Sequence, residues 1–217
     1  MRTVPLLIGW FATRLLVLLS GFSLIPYPGS EYLFSDVRLY DWWAGNIANG
    51  FFPIEDPMWQ YPPLAAVVFL AGYLIAPGTV GFVFLALVAD LAIMLLLLVR
   101  GRKLSNNLPA ITWLATALVI GPILLGRFDV FPTLAAVFAL LYVSSPKKFG
   151  SALAIGALLK VWPILLLLAT PKKMLTKVLL WFAVTFGMGC LLLSIWWEES
   201  FSFLGEQRSR GLQIESV

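Results

Sequence analysis

The stretch VGFVFLALVADLAIMLLLLVRGRK, residues 80–103, decides how this chain folds. From Val80 to Val99 the only charge is Asp90, and Arg100, Arg102 and Lys103 follow at once. A helix rises ~1.5 Å per residue, so roughly 20 apolar residues cross the hydrocarbon core. A basic cluster at one end marks the side on which the span stops. Similar runs lie on either side of it. Val4 to Ile25 contains only Arg14, whereas Leu108 to Leu125 and Val178 to Trp197 contain no charge. The first run is too long, and too poor in a small-residue cleavage site, for a simple signal peptide. Of 217 residues, 60% are hydrophobic and 12% charged, about half the charge of a soluble domain. The reading is an all-α, multi-pass membrane protein.

Charge sorts the connecting segments into two classes. Arg2, the 100–103 cluster, Lys147 with Lys148, and Lys172, Lys173 and Lys177 stand in segments without an acid. The remaining loops hold Glu31, Asp36, Asp41, Glu55, Asp56, Asp129, Glu198, Glu199, Glu206 and Glu215, with only four arginines. Basic loops face the cytoplasm, so the N-terminus is expected to be cytoplasmic and the acidic loops extracytoplasmic, in the cell inner membrane. The net charge of +4 reflects this asymmetry rather than nucleic-acid binding.

Parity then orders the spans: 4–25, 79–99, 108–125, 130–144 and 174–197, about seven membrane helices once a broken pair is counted. Residues 26–61 form an external loop with an interfacial helix over 36–49. Residues 62–76, opening on Pro62-Pro63, are short for a span and are read as a second interfacial helix. The basic segments at Lys148 and Lys172 are both internal, and too few residues separate them for two crossings. Pro163 interrupts them, which predicts half-helices over 149–159 and 162–170. Such breaks are tolerated where protein or a water-filled cavity surrounds them. The tail from Arg210 to Val217 reads as the start of another element, as in a truncated product or fragment.

Arg14 and Asp90 lie about ten residues from opposite ends of their spans, which at ~1.5 Å per residue puts both near mid-membrane. A buried structural Arg14–Asp90 pair is expected.

Several residues could carry chemistry. No histidine is present, and the one cysteine, Cys190, lies in an apolar run. Acid–base work therefore falls to carboxylates, tyrosines or lysines, and no disulfide framework exists. In the first external loop Asp36 and Tyr40 are four apart and share a helix face; Asp36 could equally be a solvated helix cap. Trp59-Gln60-Tyr61-Pro62-Pro63 forms a stiff aromatic turn entering the membrane. In the second turn, Gly126-Arg127-Phe128-Asp129, the two charges could bind a hydroxylated or anionic ligand, or pair with each other to close the hairpin. Lys160 is an intramembrane cation. Either it faces a cavity or a partner such as a lipid phosphate, or it snorkels to the interface. Trp42, Trp43 and Trp59 read as membrane anchors more than as sugar-stacking platforms.

These elements occur in a recognisable order: an external Asp with Tyr four on, Tyr-Pro-Pro, a second external Asp, Lys-x-x-Pro, and Arg-Gly-Leu-Gln-x-Glu-Ser after the next span. The set resembles the polytopic GT-C glycosyltransferases, most closely glycosyltransferase family 87, over the N-terminal half or so of a usual member. A histidine that many relatives carry near Gln207 or Arg208 is missing. The resemblance implies a sugar, mannose or arabinose first, moved from a polyprenyl-phosphate donor to a glycolipid or polysaccharide acceptor, with inversion. It implies that Asp36 is the catalytic base and Asp129 the second acidic position. Tyr40, Gln60, Tyr61, Arg127, Lys160, Arg210, Gln213 and Glu215 are then substrate-binding positions. A carboxylate suits deprotonation of the acceptor hydroxyl, and a cation such as Lys160 or Arg127 suits the departing phosphate. No cofactor is expected; two external acids could bind a divalent metal, but the oxygen ligands are few. No nucleotide-binding glycine loop is present. The rival readings are a transporter or lipid flippase, against which no inverted repeat is visible, and a non-catalytic remnant of a transferase.

Overall fold

A computed structural model describes residues 3–29, 32–53 and 56–197. These residues form helices and turns, without strands among them. The helices are α1 (Val4–Gly21), α2 (Ser35–Ala48), α3 (Leu64–Ile75), α4 (Thr79–Leu104), α5 (Leu108–Ile120), α6 (Ile123–Gly126), α7 (Val130–Leu141), α8 (Pro146–Leu159), a 3-10 helix (Trp162–Ala169) and α9 (Lys172–Trp196).

Three of them are long and apolar enough to cross a membrane: α1, α4 and α9, with mean hydropathies of 1.7, 3.0 and 2.2. Helices α3, α5 and α7 are shorter and also apolar. The chain is a polytopic helical membrane protein. Where 108–125 reads as one span, the helix stops at Ile120, because Gly121 takes a positive φ of 64° and Pro122 follows. Where 162–170 reads as a half-helix, the chain winds as a 3-10 helix. The preceding Lys160 is extended, and Pro163 offers no N–H to restart α-helical bonding.

Helix α4 is the axis. It packs against α2, α3, α5 and α7, and α8 joins α7 to α9. Helices α3 and α4 touch at backbone level: a Cβ on Gly81 would fall 2.0 Å from the Gly72 carbonyl oxygen. Helices α8 and α9 do likewise at Gly150, whose Cβ would meet the Val178 carbonyl oxygen at 2.5 Å. Close approach through small residues is the usual way apolar helices associate where lipid removes the hydrophobic drive.

Helices α1 and α4 run antiparallel. Arg102 Nη2 donates to Thr3 Oγ1 at 2.7 Å at one end. Further along, Arg14 meets Asp90 in a two-pronged pair, Nε to Oδ2 at 2.7 Å and Nη2 to Oδ1 at 2.8 Å. Both side chains are buried. The indole N–H groups of Trp10 and Trp113 complete the set, donating to Asp90 at 2.7 and 2.8 Å. The pair expected from depth counting is present, with two donors that counting did not supply.

Candidate active site

Helix α2 has a buried stripe of Val37, Tyr40, Ala44 and Ile47, the i, i+3, i+7 spacing of a helix laid on a core. Asp36 stands beside that stripe in the first turn, where the helix dipole favours a carboxylate. The surface beneath is aromatic. The Tyr40 ring stacks on Phe69 at 4.4 Å and 11°. Tyr61 sits edge-on to Tyr40 at 5.7 Å and to Phe128 at 5.3 Å. Such offset and edge contacts hold rings in fixed orientations.

Two other acids of this end serve the fold. Asp41 Oδ1 accepts the Gly78 backbone N–H at 2.6 Å, tying α2 to the α3–α4 turn. Asp56 Oδ2 accepts the Trp43 indole N–H at 2.6 Å. This corrects the reading of the tryptophans. Trp43 and Trp59 are each 1% exposed and pack against one another at 5.0 Å, so they are core residues rather than membrane anchors. Trp42, 55% exposed, faces outward.

Asp36 and Asp129 face the solvent side of the floor, each with a cation. Arg127 Nη1 donates to Asp36 Oδ2, and Lys160 Nζ donates to Asp129 Oδ1 at 2.7 Å. The pairing is crossed relative to the sequence: Arg127 does not close its hairpin with Asp129 but reaches back to α2. Arg127 is extended (φ −119°, ψ 146°), whereas Asp129 already has helical angles at the start of α7. The chain turns between them, and their side chains part. Lys160, extended at the end of α8, finds Asp129 rather than snorkelling alone.

Behind Asp36 runs a hydroxyl relay. The Tyr40 and Tyr61 hydroxyls lie 2.9 Å apart, and the Tyr40 hydroxyl lies 3.5 Å from Asp36 Oδ2 as a long donor. Burial pushes the Tyr61 phenol up to about 12, with Asp36 and Asp129 both adding to the rise. Both carboxylates thus bear electrostatically on one hydroxyl. Burial, then Tyr61 itself, raises Tyr40 further still. Both tyrosines stay neutral donors at any physiological pH. An acid whose folded pKa is raised contributes stability below its unfolded value of ~10, and that contribution is lost as pH climbs toward the folded value. The melting temperature of the purified protein is therefore expected to fall between pH 10 and about 12, and Tyr61→Phe should flatten that fall. An equal slope in the variant would refute the assignment.

Six of the expected residues thus meet at one end of the bundle: Asp36, Tyr40, Tyr61, Arg127, Asp129 and Lys160. Gln60 is exposed between buried Trp59 and Tyr61. Arg210, Gln213 and Glu215 lie outside the described residues. The sequence reading missed Phe69 and Phe128, the floor of the site; Phe128 sits between Arg127 and Asp129, where its apolar character was a usable signal. Among the described residues no three His, Cys, Asp or Glu side chains gather as a metal site would require.

Residues 59–215 match glycosyltransferase family 87. The chain belongs to that family. The match takes in Tyr61, Arg127, Asp129 and Lys160, while Asp36 and Tyr40 lie before it. No curated protein and no solved structure matches the chain. Membership in glycosyltransferase family 87 implies membrane glycosyltransferase activity in general.

Proposed function

We propose that this family 87 chain transfers a sugar from a polyprenyl-phosphate donor to a hydroxyl of a glycolipid or polysaccharide acceptor, with Asp36 as general base. Mannose and arabinose are the sugars to test first. The observation that carries the reading is the crossed pairing of Asp36 with Arg127 and Asp129 with Lys160 over a fixed aromatic floor. Both cations are held near the carboxylates and remain partly exposed. An arriving donor phosphate would compete for Arg127 and Lys160, leaving Asp36 free to accept the acceptor's proton. The acceptor oxygen then attacks the anomeric carbon, the bond to the phosphate oxygen breaks, and the cations stabilise the departing lipid phosphate. One base and one direct attack give inversion.

A lipid donor is supported by a groove of about 570 Å³ lined by Leu64, Leu158, Met188, Leu192 and Trp196. It lies next in sequence to Tyr61-Pro62-Pro63 and to Lys160. Orientation follows the charge asymmetry: the basic end in the cytoplasm, the site on the extracytoplasmic face of the inner membrane.

The test uses the full-length protein in liposomes, with polyprenyl-phosphate mannose, polyprenyl-phosphate arabinose and the nucleotide-activated sugars as donors. Transfer from a lipid donor with inverted anomeric configuration is expected. Absence of transfer from either lipid donor, or equal use of a nucleotide sugar, would sink the proposal.

A further inference from the structure

A second groove runs the length of α8, with Lys147 and Lys148 at the end away from Lys160, and shares only Ile155 with the donor groove. It has a volume of about 510 Å³ and runs along α7 and α8, from Lys147 and Lys148 to Ile155 and Leu159. Phe131, Leu134 and Phe138 form its α7 wall. From Lys148 to Leu159 the helix climbs ~17 Å at ~1.5 Å per residue. One leaflet of a ~30 Å hydrocarbon core is ~15 Å deep. The groove therefore has the length of a single acyl chain.

Its mouth is basic. Lys147 and Lys148 are exposed. Each is held by an aromatic face: the Lys148 Nζ is 4.3 Å from the Tyr142 ring centre, and the Lys147 Nζ is 4.7 Å from that of Trp181. Tyr142 also lines a small cleft with Arg100 and Lys103. Three cations from two segments thus stand at one tyrosine, with Lys147 beside them on Trp181, and neither segment contains an acid. Nothing negative belonging to these segments is present to balance them.

We propose that this groove is a binding site for an anionic phospholipid of the leaflet at the basic end. One acyl chain lies between α7 and α8, and the phosphate headgroup sits among Lys147, Lys148, Arg100 and Lys103. The apolar walls select a lipid over a soluble phosphate, and the cations select an anionic headgroup over a zwitterionic one. The site is distinct from Asp36 and Asp129, and it does not depend on the transferase reading.

The test is a lipid titration of the detergent-purified full chain by native mass spectrometry. The ligands are dioleoyl-phosphatidylglycerol, dioleoyl-phosphatidylcholine and glycerol 3-phosphate. Phosphatidylglycerol is expected to bind about tenfold more tightly than phosphatidylcholine, in line with the attraction each basic residue adds. The double variant Lys147→Gln/Lys148→Gln should reduce that preference several-fold, with Arg100 and Lys103 retaining the remainder, while binding of phosphatidylcholine changes less. Ala135→Trp, which fills this groove from its α7 wall and leaves the cations in place, should weaken both lipids. Equal binding of the two lipids by the wild type would overturn the headgroup assignment. Displacement of phosphatidylglycerol by glycerol 3-phosphate at equal concentration would overturn the groove. The wild-type comparison stands even if a variant fails to fold.

Discussion

Asp90→Asn is expected to destabilise the helix bundle by about 3–5 kcal/mol, the usual effect of removing one member of a buried ion pair. The cost arises because Arg14 is 1% exposed and pairs with no other carboxylate among the described residues. Without the Asp90 charge the guanidinium is a lone cation at membrane depth. The double variant Arg14→Gln/Asp90→Asn should recover most of this loss, since neither charge is then buried. Recovery should be incomplete, because Trp10 and Trp113 each donate to Asp90 and an asparagine offers one carbonyl oxygen in place of two acceptors. Thermal melts in detergent, followed by helical circular dichroism, decide the matter. A double variant as unstable as Asp90→Asn alone would count against the pair.

The second large effect concerns turnover. Asp36→Asn should lower kcat by roughly 10²–10⁴-fold, the contribution of a positioned general base. Stability should change little, because an asparagine oxygen can still accept from Arg127 and because Asp36 lies at the edge of the buried stripe. Asp129→Asn is the necessary companion. Asp129 holds Lys160, so its loss should weaken donor binding and raise KM more than it lowers kcat. If Asp129→Asn abolished turnover while Asp36→Asn retained it, the base would have to be reassigned. If neither variant changed transfer, the site would lie elsewhere.

Some of this was legible in the residues and some was not, for physical reasons. Arg14–Asp90 could be read because two antiparallel helices of known rise fix the height of each side chain. Height says nothing of azimuth, so Trp113 was invisible; Trp10, four residues from Arg14 and thus on its face, was there to be found. Asp36 and Tyr40 could be placed together by the same spacing. Arg127 and Asp129 could not be assigned correctly, because their partners come from α2 and α8, which only tertiary packing brings near. A local pair looked cheaper from the sequence, and the turn at Phe128 undoes it. The aromatic residues of the first loop read as interface anchors because composition cannot tell a tryptophan facing lipid from one facing Asp56.

The ion pair between α1 and α4 also bears on how the protein is made. Its partners are 76 residues apart in the chain. At ~5–20 residues per second, Asp90 leaves the ribosome roughly 4–15 s after Arg14. During that interval α1 carries an arginine whose insertion at helix centre costs ~2.5–3.5 kcal/mol, on a segment with a mean hydropathy of only 1.7. The nascent α1 is therefore a marginal occupant of the bilayer until α4 arrives, and nascent chains arrested before Asp90 should show incomplete insertion of α1. A buried ion pair of the finished protein is, during synthesis, a debt that an earlier helix carries for a later one.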